Sequence, residues 1–210
     1  VGVSCALQVA GGWRRLLVAL GFPLSGLALG ASVPAWGWIL AVLPLGLLYP
    51  LRAWADAPLF PTPRAALDAL AQALPLPADA AVLDAGCGLG DGLRALRRAW
   101  PQARLHGVEW SLPASAISRW RCGFARVCRG DMWARSWSAF DAVYLFQRPE
   151  SMARAWVKAT ADLRAGAWLL SLEFPVPGVA PTLQLPAGAR RVLWCYRMPG
   201  SASTLAAKCR

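Results

Sequence analysis

The sequence predicts an α/β fold in which a doubly wound, largely parallel sheet follows a pair of apolar helices. From residue 81 onward, short strand-like runs alternate with segments of helical periodicity. That alternation is typical of a parallel sheet with helices on both faces. Ahead of it, residues 16 to 51 contain no charged side chain. The chain is therefore expected to consist of an apolar front and one α/β domain.

The apolar front predicts a membrane anchor. One span needs about 20 apolar residues, so this run is too long for one and just short of two comfortable ones. Internal prolines and glycines favour a transmembrane helical hairpin, with helices near 14 to 31 and 33 to 51. Arg14, Arg15 and Arg52 would then share one side, which the positive-inside rule makes the cytoplasm. The alternatives are a signal peptide, which would leave a second apolar segment unexplained, and a buried helix pair in a soluble protein.

The charge of the chain favours a membrane over a nucleic acid. Twenty-two Lys plus Arg residues oppose 11 Asp plus Glu residues, giving a formal net charge of +11. Arginine in excess suits an anionic membrane surface or an acidic partner. No basic run forms a nucleic-acid tract, so the expected partners are a bilayer and a membrane-protein substrate, with no nucleic acid.

Cysteine and histidine usage argues against two site types. The six cysteines include no C-x-x-C pair, and His106 is the only histidine. A Cys/His zinc site and a Ser-His-Asp hydrolase therefore have poor prospects, and no metal is expected. The cysteines are expected to be reduced and buried, with His106 in the core of a strand.

The elements of the α/β domain follow a proline-rich connector, ADAPLFPTP, and the domain boundary is placed near residue 56. Thr62 and Pro63 predict an N-cap and first helical position for a helix reaching Leu74. The predicted strands are AAVLDAG, RLHGVEW, ARVCRGD, FDAVYLF, AWLLSLEF, TLQL and RRVLWCY. Only PAGA joins the last two, which predicts an antiparallel hairpin at one edge.

The first strand ends in a glycine-rich turn that feeds a helix. Gly86, Gly88 and Gly90 are spaced G-x-G-x-G, and such a turn offers backbone N–H groups at a helix N-terminus. A dinucleotide fingerprint is instead G-x-G-x-x-G. Asp84 stands immediately before the turn, where a carboxylate repels pyrophosphate and suits a cofactor that carries an ammonium group.

Two more acids follow the next two strands. Glu109 lies 19 residues beyond Gly90, where a carboxylate can accept from both ribose hydroxyls of a nucleoside. Asp131 follows the third strand and can accept from an adenine amino group. Three acids at successive strand ends predict a cationic adenosine cofactor, namely S-adenosylmethionine.

A family resemblance runs through these landmarks, from about Pro58 to Tyr196. It rests on PLFPT (58–62), DAGCGLG (84–90), GVE (107–109), SRWR (118–121), DMW (131–133), FQRPESM (146–152) and FPVP (174–177). With these motifs the chain resembles class I methyltransferases. In particular it is similar to the membrane-anchored protein-lysine methyltransferases, whose mitochondrial members act on the ATP synthase c subunit and the adenine nucleotide translocase. The resemblance implies a seven-stranded Rossmann-like sheet and S-adenosylmethionine as cofactor, with S-adenosylhomocysteine as product.

The pattern and the resemblance together assign domains and site residues. The expected domains are an anchor over residues 1–55, a methyltransferase domain over 56–200 and a tail over 201–210. Cofactor-binding residues are expected at Asp84, Gly86, Cys87, Gly88, Gly90, Glu109, Trp110, Asp131, Met132 and Trp133. Catalytic and channel residues are expected at Phe146, Gln147, Pro149 and Glu150, and substrate-binding residues at Phe60, Pro61 and Thr62.

Several assignments have simpler structural alternatives. Glu150 reads more readily as the first-turn acid of a helix that starts at Pro149. Trp133 can cover an adenine edge or serve a structural role. Arg119 and Arg121 can engage an acidic partner or lipid headgroups, although a solvated helix face is the simpler interpretation.

The chain departs from the family at two places. Leu89 and Asp91 stand where an acid and an arginine are usual, so the edge of the cofactor pocket is expected to differ. Gln147 and Arg148 replace smaller apolar residues in the loop after the fourth strand. That loop faces the transferred methyl in this fold, so the substrate need not be the one that the mitochondrial members use.

These observations predict a membrane-anchored methyltransferase acting on a lysine of a membrane-associated protein. Methyl transfer is an in-line displacement governed by alignment and desolvation, and an apolar channel favours the neutral amine by lowering its pKa. The expected location is the bacterial inner membrane, with the catalytic domain facing the cytoplasm. Two alternatives stay open: a lipid, quinone or small amphiphile as substrate, and a non-catalytic cofactor-binding partner of a membrane complex.

Overall fold

A computed structural model of the chain describes residues 60–188 and 190–199, together with Trp36, Gly37 and Leu43. The chain divides into two compact units, Val1–Leu47 and Leu48–Arg210, and the second contains the sheet. The expected transmembrane hairpin and the C-terminal tail lie outside the described residues. Within the described part of the chain, no helix combines the length and the apolarity needed to cross a bilayer.

Seven strands form one mixed sheet in the order β3-β2-β1-β4-β5-β7-β6. The first five strands run parallel, and β7 is antiparallel to both β5 and β6. The predicted Rossmann-like sheet with its antiparallel C-terminal hairpin is thus confirmed. The strands are β1 Ala81–Ala85, β2 Arg104–Glu109, β3 Arg126–Arg129, β4 Ala142–Leu145, β5 Trp168–Leu172, β6 Leu183–Pro186 and β7 Val192–Arg197.

Both faces of the sheet are covered by apolar layers. Successive residues of β1 point to opposite faces, so Val82 joins one cluster and Leu83 the other. Leu93 and Leu96 of a helix after β1 complete the first layer, and Met152 contributes to the second. The helices are α1 Leu70–Ala73, α2 Asp91–Ala99, α3 Leu112–Arg121 and α4 Met152–Asp162, with a 3-10 turn at Pro149–Ser151 before α4.

The predicted helix start at Thr62 is wrong. Residues 64 to 69 form turns, and regular α-helix covers only Leu70–Ala73. The Thr62 side chain is buried, and its hydroxyl lies 2.9 Å from the Tyr144 hydroxyl of β4. A long-range buried partner therefore occupies the oxygen that would have capped the helix. Sequence alone shows a good capping residue but not the competitor for its hydroxyl.

Strand order places a crevice at the carboxyl ends of β1 and β4. Connections from β1 lead through β2 to β3 on one side of the sheet, whereas β4 and β5 lie on the other. The order therefore reverses between β1 and β4. In open α/β sheets, ligands bind outside the carboxyl ends of the strands at such a reversal.

Candidate active site

The glycine-rich turn requires glycine because its backbone is left-handed at three positions. Gly86, Gly88 and Gly90 have φ of +86°, +51° and +86°, a region that side-chain-bearing residues rarely adopt. The N–H groups of Gly86 and Cys87 both donate to the Val108 carbonyl at 2.9 Å. The turn is thereby fastened to β2, and Gly90 begins α2 as its N-cap.

The Glu109 carboxylate is held by backbone donors on both sides. Its Oε2 accepts from the Gly88 N–H at 3.0 Å, and its Oε1 accepts from the Ser111 N–H at 2.8 Å. Each oxygen keeps further acceptor capacity. The carboxylate is therefore oriented against the glycine turn by the fold itself, as a group that accepts from ribose hydroxyls must be.

The Asp84 carboxyl has the opposite environment. Its side chain is only 2% exposed, and Oδ2 has no hydrogen-bond partner. Burial, followed by the negative charge of Glu109, raises the pKa of Asp84 to about 8. A buried carboxylate without a partner is costly, and a nearby cation would relieve that cost.

Asp84 lies beneath the start of α2. A Cβ on Gly92 would stand 2.4 Å from Asp84 Oδ2 and 3.0 Å from Cε1 of Tyr144. The absent side chain at Gly92 therefore leaves the space in which the carboxyl sits. The sequence analysis did not single out Gly92 or Tyr144. The only sequence signal is the small residue at the second position of the helix.

These features fit S-adenosylmethionine. The glycine turn leaves a backbone cradle, Glu109 offers oriented acceptors, and Asp84 supplies a buried carboxyl whose Oδ2 lacks a partner. A neutral or negatively charged cofactor would leave Asp84 uncompensated. The donor set therefore matches an adenosine compound that carries a positive charge.

Asp131 and Met132 meet the same turn. One oxygen of Asp131, Oδ1, accepts from the Trp133 N–H at 2.8 Å, which fixes the carboxylate and leaves Oδ2 for an adenine amino group. Met132 is buried, and its sulfur would lie 3.4 Å from a Cβ on Gly86. Asp131 and Met132, which follow β3, therefore lie at the same site as the residues that follow β1 and β2.

The three remaining residues of the cofactor assignment differ in their surroundings. The Cys87 side chain is buried against Ser118 of α3, with Sγ and Oγ 3.7 Å apart, and burial raises the pKa of its thiol. Trp133 stacks beneath the Arg154 guanidinium, 4.3 Å from the ring centroid, so it serves at least a structural role. Trp110 is half-exposed directly after β2.

The loop after β4 closes on the glycine turn and on the connector. The rings of Phe60 and Phe146 lie 5.9 Å apart between centroids, so a connector residue and a loop residue form one apolar wall. A Cβ on Gly86 would stand 2.5 Å from Gln147 Nε2, which places that amide directly over the turn. The predicted channel and cofactor residues are therefore brought together here.

Other predicted channel residues lie at the margin. Pro149 and Glu150 are exposed on the 3-10 turn, and Pro61 is exposed on the connector. Thr62 is buried and bonded to Tyr144, so its hydroxyl positions the connector. Among the described residues of the loop, no side chain has the burial and partners of a general base.

Arg121 was wrongly expected on a solvated helix face. Its guanidinium donates to the Leu89 carbonyl at 2.8 Å and pairs with Asp91 at 2.7 Å. It therefore clamps the outer end of the glycine turn to α3. The unusual Asp91 was the available signal, because a carboxylate there calls for a cation nearby.

The cysteines and the histidine behave largely as expected. Cys87, Cys122 and Cys195 are free and buried, whereas Cys128 is free but exposed, contrary to expectation. His106 is half-buried with its ring edge-on to Phe140 at 5.3 Å, and burial lowers its pKa. Nothing in this environment marks His106 as a catalyst.

Comparison with known proteins agrees with this geometry. Residues 84–183 match the family model described as the ANTKMT methyltransferase domain. Over these residues the chain is similar to the methyltransferases of that family. The chain is 32% identical over 99 residues to the mouse (Mus musculus) adenine nucleotide translocase lysine N-methyltransferase, covering 46% of this chain and 43% of that protein. The resemblance to lysine methyltransferases is thus confirmed, although the chain spans less than half the length of this relative.

A solved structure shows the same fold in a methyltransferase. An RNA methyltransferase from Salinibacter ruber in complex with S-adenosyl-L-homocysteine superposes with a TM-score of 0.60 at 20% identity. The match covers 67% of this chain and 94% of that one. At this identity the likeness concerns the fold of the methyltransferase domain alone.

Proposed function

We propose that this protein is a membrane-associated, S-adenosylmethionine-dependent protein-lysine N-methyltransferase. The observation that carries the proposal is the apolar wall of Phe60 and Phe146, which meets the glycine turn where Gln147 overlies Gly86. A narrow apolar approach admits an extended side chain and disfavours the charged form of its amine. A lysine side chain has that shape and needs that loss of charge.

The chain's own residues supply alignment and desolvation. S-adenosylmethionine, when bound, supplies the electrophilic methyl group. Glu109 and Asp131 would hold the adenosine, and Asp84 would face the positive charge of the amino acid portion. Phe60 and Phe146 would form an apolar wall beside the amine, with the Gln147 amide next to it. The amine must first lose its proton to bulk water, and the apolar wall favours its neutral form.

The proposed location is the bacterial inner membrane, with the catalytic domain facing the cytoplasm. Its support is the uncharged run of residues 16–51 with arginines at both ends. The name of the mouse relative gives a translocase as its substrate, which favours a membrane-protein substrate here as well. Holding enzyme and substrate at one surface raises their effective concentration.

A labelling experiment tests this function. The full chain is incubated with isolated bacterial membranes and S-adenosylmethionine carrying a radioactive methyl group. We expect label in protein, recovered as methyl-lysine after acid hydrolysis, and loss of that label in Phe146→Ala. Val157→Ser serves as the matched control, since Val157 is an exposed apolar residue on α4, away from the site.

The distribution of the label decides between the alternatives. Label in the lipid extract that survives protease treatment would replace the lysine substrate with a lipid or small amphiphile. A chain that binds the cofactor but labels nothing in any membrane extract would support a non-catalytic role.

A further inference from the structure

Helix α3 is built with its apolar side outward. The residues that it buries against the sheet are small: Ala114, Ser115 and Ser118. Its large apolar residues, Leu112 and Ile117, are exposed with Trp120. A surface helix normally turns its large apolar residues toward the core. The core therefore does not account for the large side chains of α3.

The outward apolar residues lie along α3 and in the turn that follows it. Ile117 and Trp120 are three residues apart, which places them on the same side of the helix, and Phe124 lies in the turn directly after α3. Trp120 is 85% exposed, the highest value among the exposed large apolar residues that the structure describes. Four of the seven such residues described from residue 60 onward, Leu112, Ile117, Trp120 and Phe124, lie here. We call these four residues the α3 face.

Arginine is the only charged residue type in the segment that carries the α3 face. Residues 110–130 contain four arginines and neither aspartate nor glutamate. Arg121 pairs with Asp91, whereas Arg119, Arg126 and Arg129 have no carboxylate within salt-bridge distance in the described part of the chain. Arg97 of α2 adds a further positive charge, with its guanidinium 4.8 Å from the centroid of the Phe124 ring.

This charge distinguishes between the possible occupants. A second copy of the chain would place the same cluster of arginines against itself, with no acids to compensate. The apolar front of this chain contains no aspartate or glutamate in residues 1–55, so it offers no complement either. An anionic surface offers the complementary charge. Aromatic and aliphatic side chains mixed with arginine are typical of surfaces that lie in the headgroup region of a membrane.

We propose that the α3 face docks onto an anionic lipid surface. Trp120, Ile117 and Phe124 enter the headgroup region, and the surrounding arginines contact lipid phosphates in bidentate fashion. Because α3 begins directly after β2, this contact holds the carboxyl edge of the sheet close to the membrane. The contact is separate from the N-terminal segment and does not depend on methyl transfer.

Hydroxyl-radical footprinting of the full chain tests the contact residue by residue. The probe is a set of vesicles of phosphatidylcholine containing a minority of phosphatidylglycerol, with pure phosphatidylcholine vesicles as comparison. Oxidation of Trp120 is read by mass spectrometry relative to Val157 on α4. We expect labelling of Trp120 to fall about fivefold with the anionic vesicles and little with the neutral ones. Salt at about 1 M, which shortens the screening length to about 3 Å, should restore most of it.

Two variants separate this contact from binding through other parts of the chain. In Ile117→Ser/Trp120→Ser, protection of Phe124 should be lost, whereas in Val157→Ser it should persist. In Arg126→Gln, the lipid concentration needed for half-protection of Trp120 should rise about fivefold. The four substituted positions are exposed, so folding of the variants is expected to be normal.

Four results would overturn the proposal. Trp120 labelled equally with and without anionic vesicles would remove the contact. Equal protection by neutral vesicles would remove the anionic requirement. Weak labelling of Trp120 before lipid is added, in a chain that sediments as a dimer, would assign the face to a second copy. Protection by protein-containing membranes but not by pure lipid would assign it to an acidic protein. None of these readouts depends on catalysis, so they test the lipid contact independently of the proposed methyltransferase activity.

Discussion

Asp84 at the end of β1 and Glu109 at the end of β2 are equally prominent in the sequence, but the structure gives their carboxyl groups opposite surroundings. Glu109 is half-buried, and backbone N–H groups of Gly88 and Ser111 hold its two oxygens. Asp84 is fully buried and has one oxygen without a partner, and burial raises the pKa of its carboxyl to about 8. The fold already supplies hydrogen bonds to both oxygens of Glu109, whereas it leaves one oxygen of Asp84 without a hydrogen bond.

The difference shows two ways of preparing a site for one cofactor. Glu109 is preorganised, because its acceptors already point in a fixed direction and no reorganisation is needed on binding. Asp84 is energetically unfavourable as an anion until a cation arrives. The first arrangement favours recognition of hydroxyl groups, and the second favours recognition of charge.

The largest effect is expected from removing the preorganised carboxylate. Glu109→Ala should weaken S-adenosylmethionine binding about 100-fold or more, because two charge-assisted hydrogen bonds are lost. Glu109→Gln, which keeps one acceptor oxygen, should lose less. Isothermal titration calorimetry measures both, with the exposed Asp79→Asn as control. Unchanged affinity in Glu109→Ala would show that orientation by the glycine turn serves the fold and not the cofactor.

The next effect is a pH dependence of stability that comes from Asp84. Its pKa of about 8 in the folded state exceeds that of an unfolded aspartate, about 3.9. Between these values the folded state binds more protons than the unfolded state, so stability falls as pH rises from about 4 to 8. In Asp84→Asn this contribution is absent. Without cofactor, we expect the Tm of Asp84→Asn to rise relative to that of the parent chain as the pH increases from 5 to 8.

A flat difference in Tm across that range would contradict the buried environment of Asp84. Addition of cofactor gives a further check. If the cofactor's cation meets Asp84, binding near pH 7 should release a proton from the parent chain and none from Asp84→Asn. Calorimetry in buffers of different ionisation enthalpy measures that proton.

A smaller effect tests where the Asp84 carboxyl lies. Gly92→Ala would place a Cβ 2.4 Å from Asp84 Oδ2, and overpacking of this kind costs about 1–3 kcal/mol. Helix propensity alone would favour alanine by about 1 kcal/mol, so net destabilisation in urea unfolding would identify the clash. Gly123→Ala is the matched control, because its Cβ would meet nothing within 4 Å. Asp84→Ala should relieve the cost of Gly92→Ala, and an additive double variant would argue against direct contact.

The smallest effect concerns the buried pair beside Asp84. Thr62→Val removes the partner of the Tyr144 hydroxyl and should destabilise the domain by about 1–2 kcal/mol. Tyr144→Phe should cost a similar amount. The double variant should cost less than the sum of the two, because neither hydroxyl is then left unpaired. Strict additivity in denaturant unfolding would mean that the pair is not coupled.

Sequence reasoning succeeded where the signal is local. Alternation of strand and helix predicted seven strands, and the short PAGA connection predicted that β6 and β7 pair antiparallel. The glycine turn could be predicted from the sequence because left-handed backbone, as at Gly86 and Gly90, is rarely adopted by other residues. The acids after β1, β2 and β3 followed from the same logic, since parallel strands end at one edge of the sheet.

The failures concern side chains whose partners are distant in sequence. Thr62 resembled a helix cap, but a hydroxyl 82 residues away occupies it. Arg121 resembled a solvated residue, but it pairs with Asp91, 30 residues away. At Thr62 a capping preference worth about 1 kcal/mol was overridden by a specific tertiary contact.

The sequence by itself determined the order of elements, the position of the glycine turn and the three acids that point to a cationic adenosine cofactor. These follow from backbone sterics and from the two- and 3.6-residue periods, which act over a few residues. Only the tertiary structure decided that Glu109 is held by Gly88 while one oxygen of Asp84 lacks a partner, and that α3 turns its large apolar side chains outward. Burial and hydrogen-bond satisfaction depend on which distant segments meet, and that is a property of the packed domain.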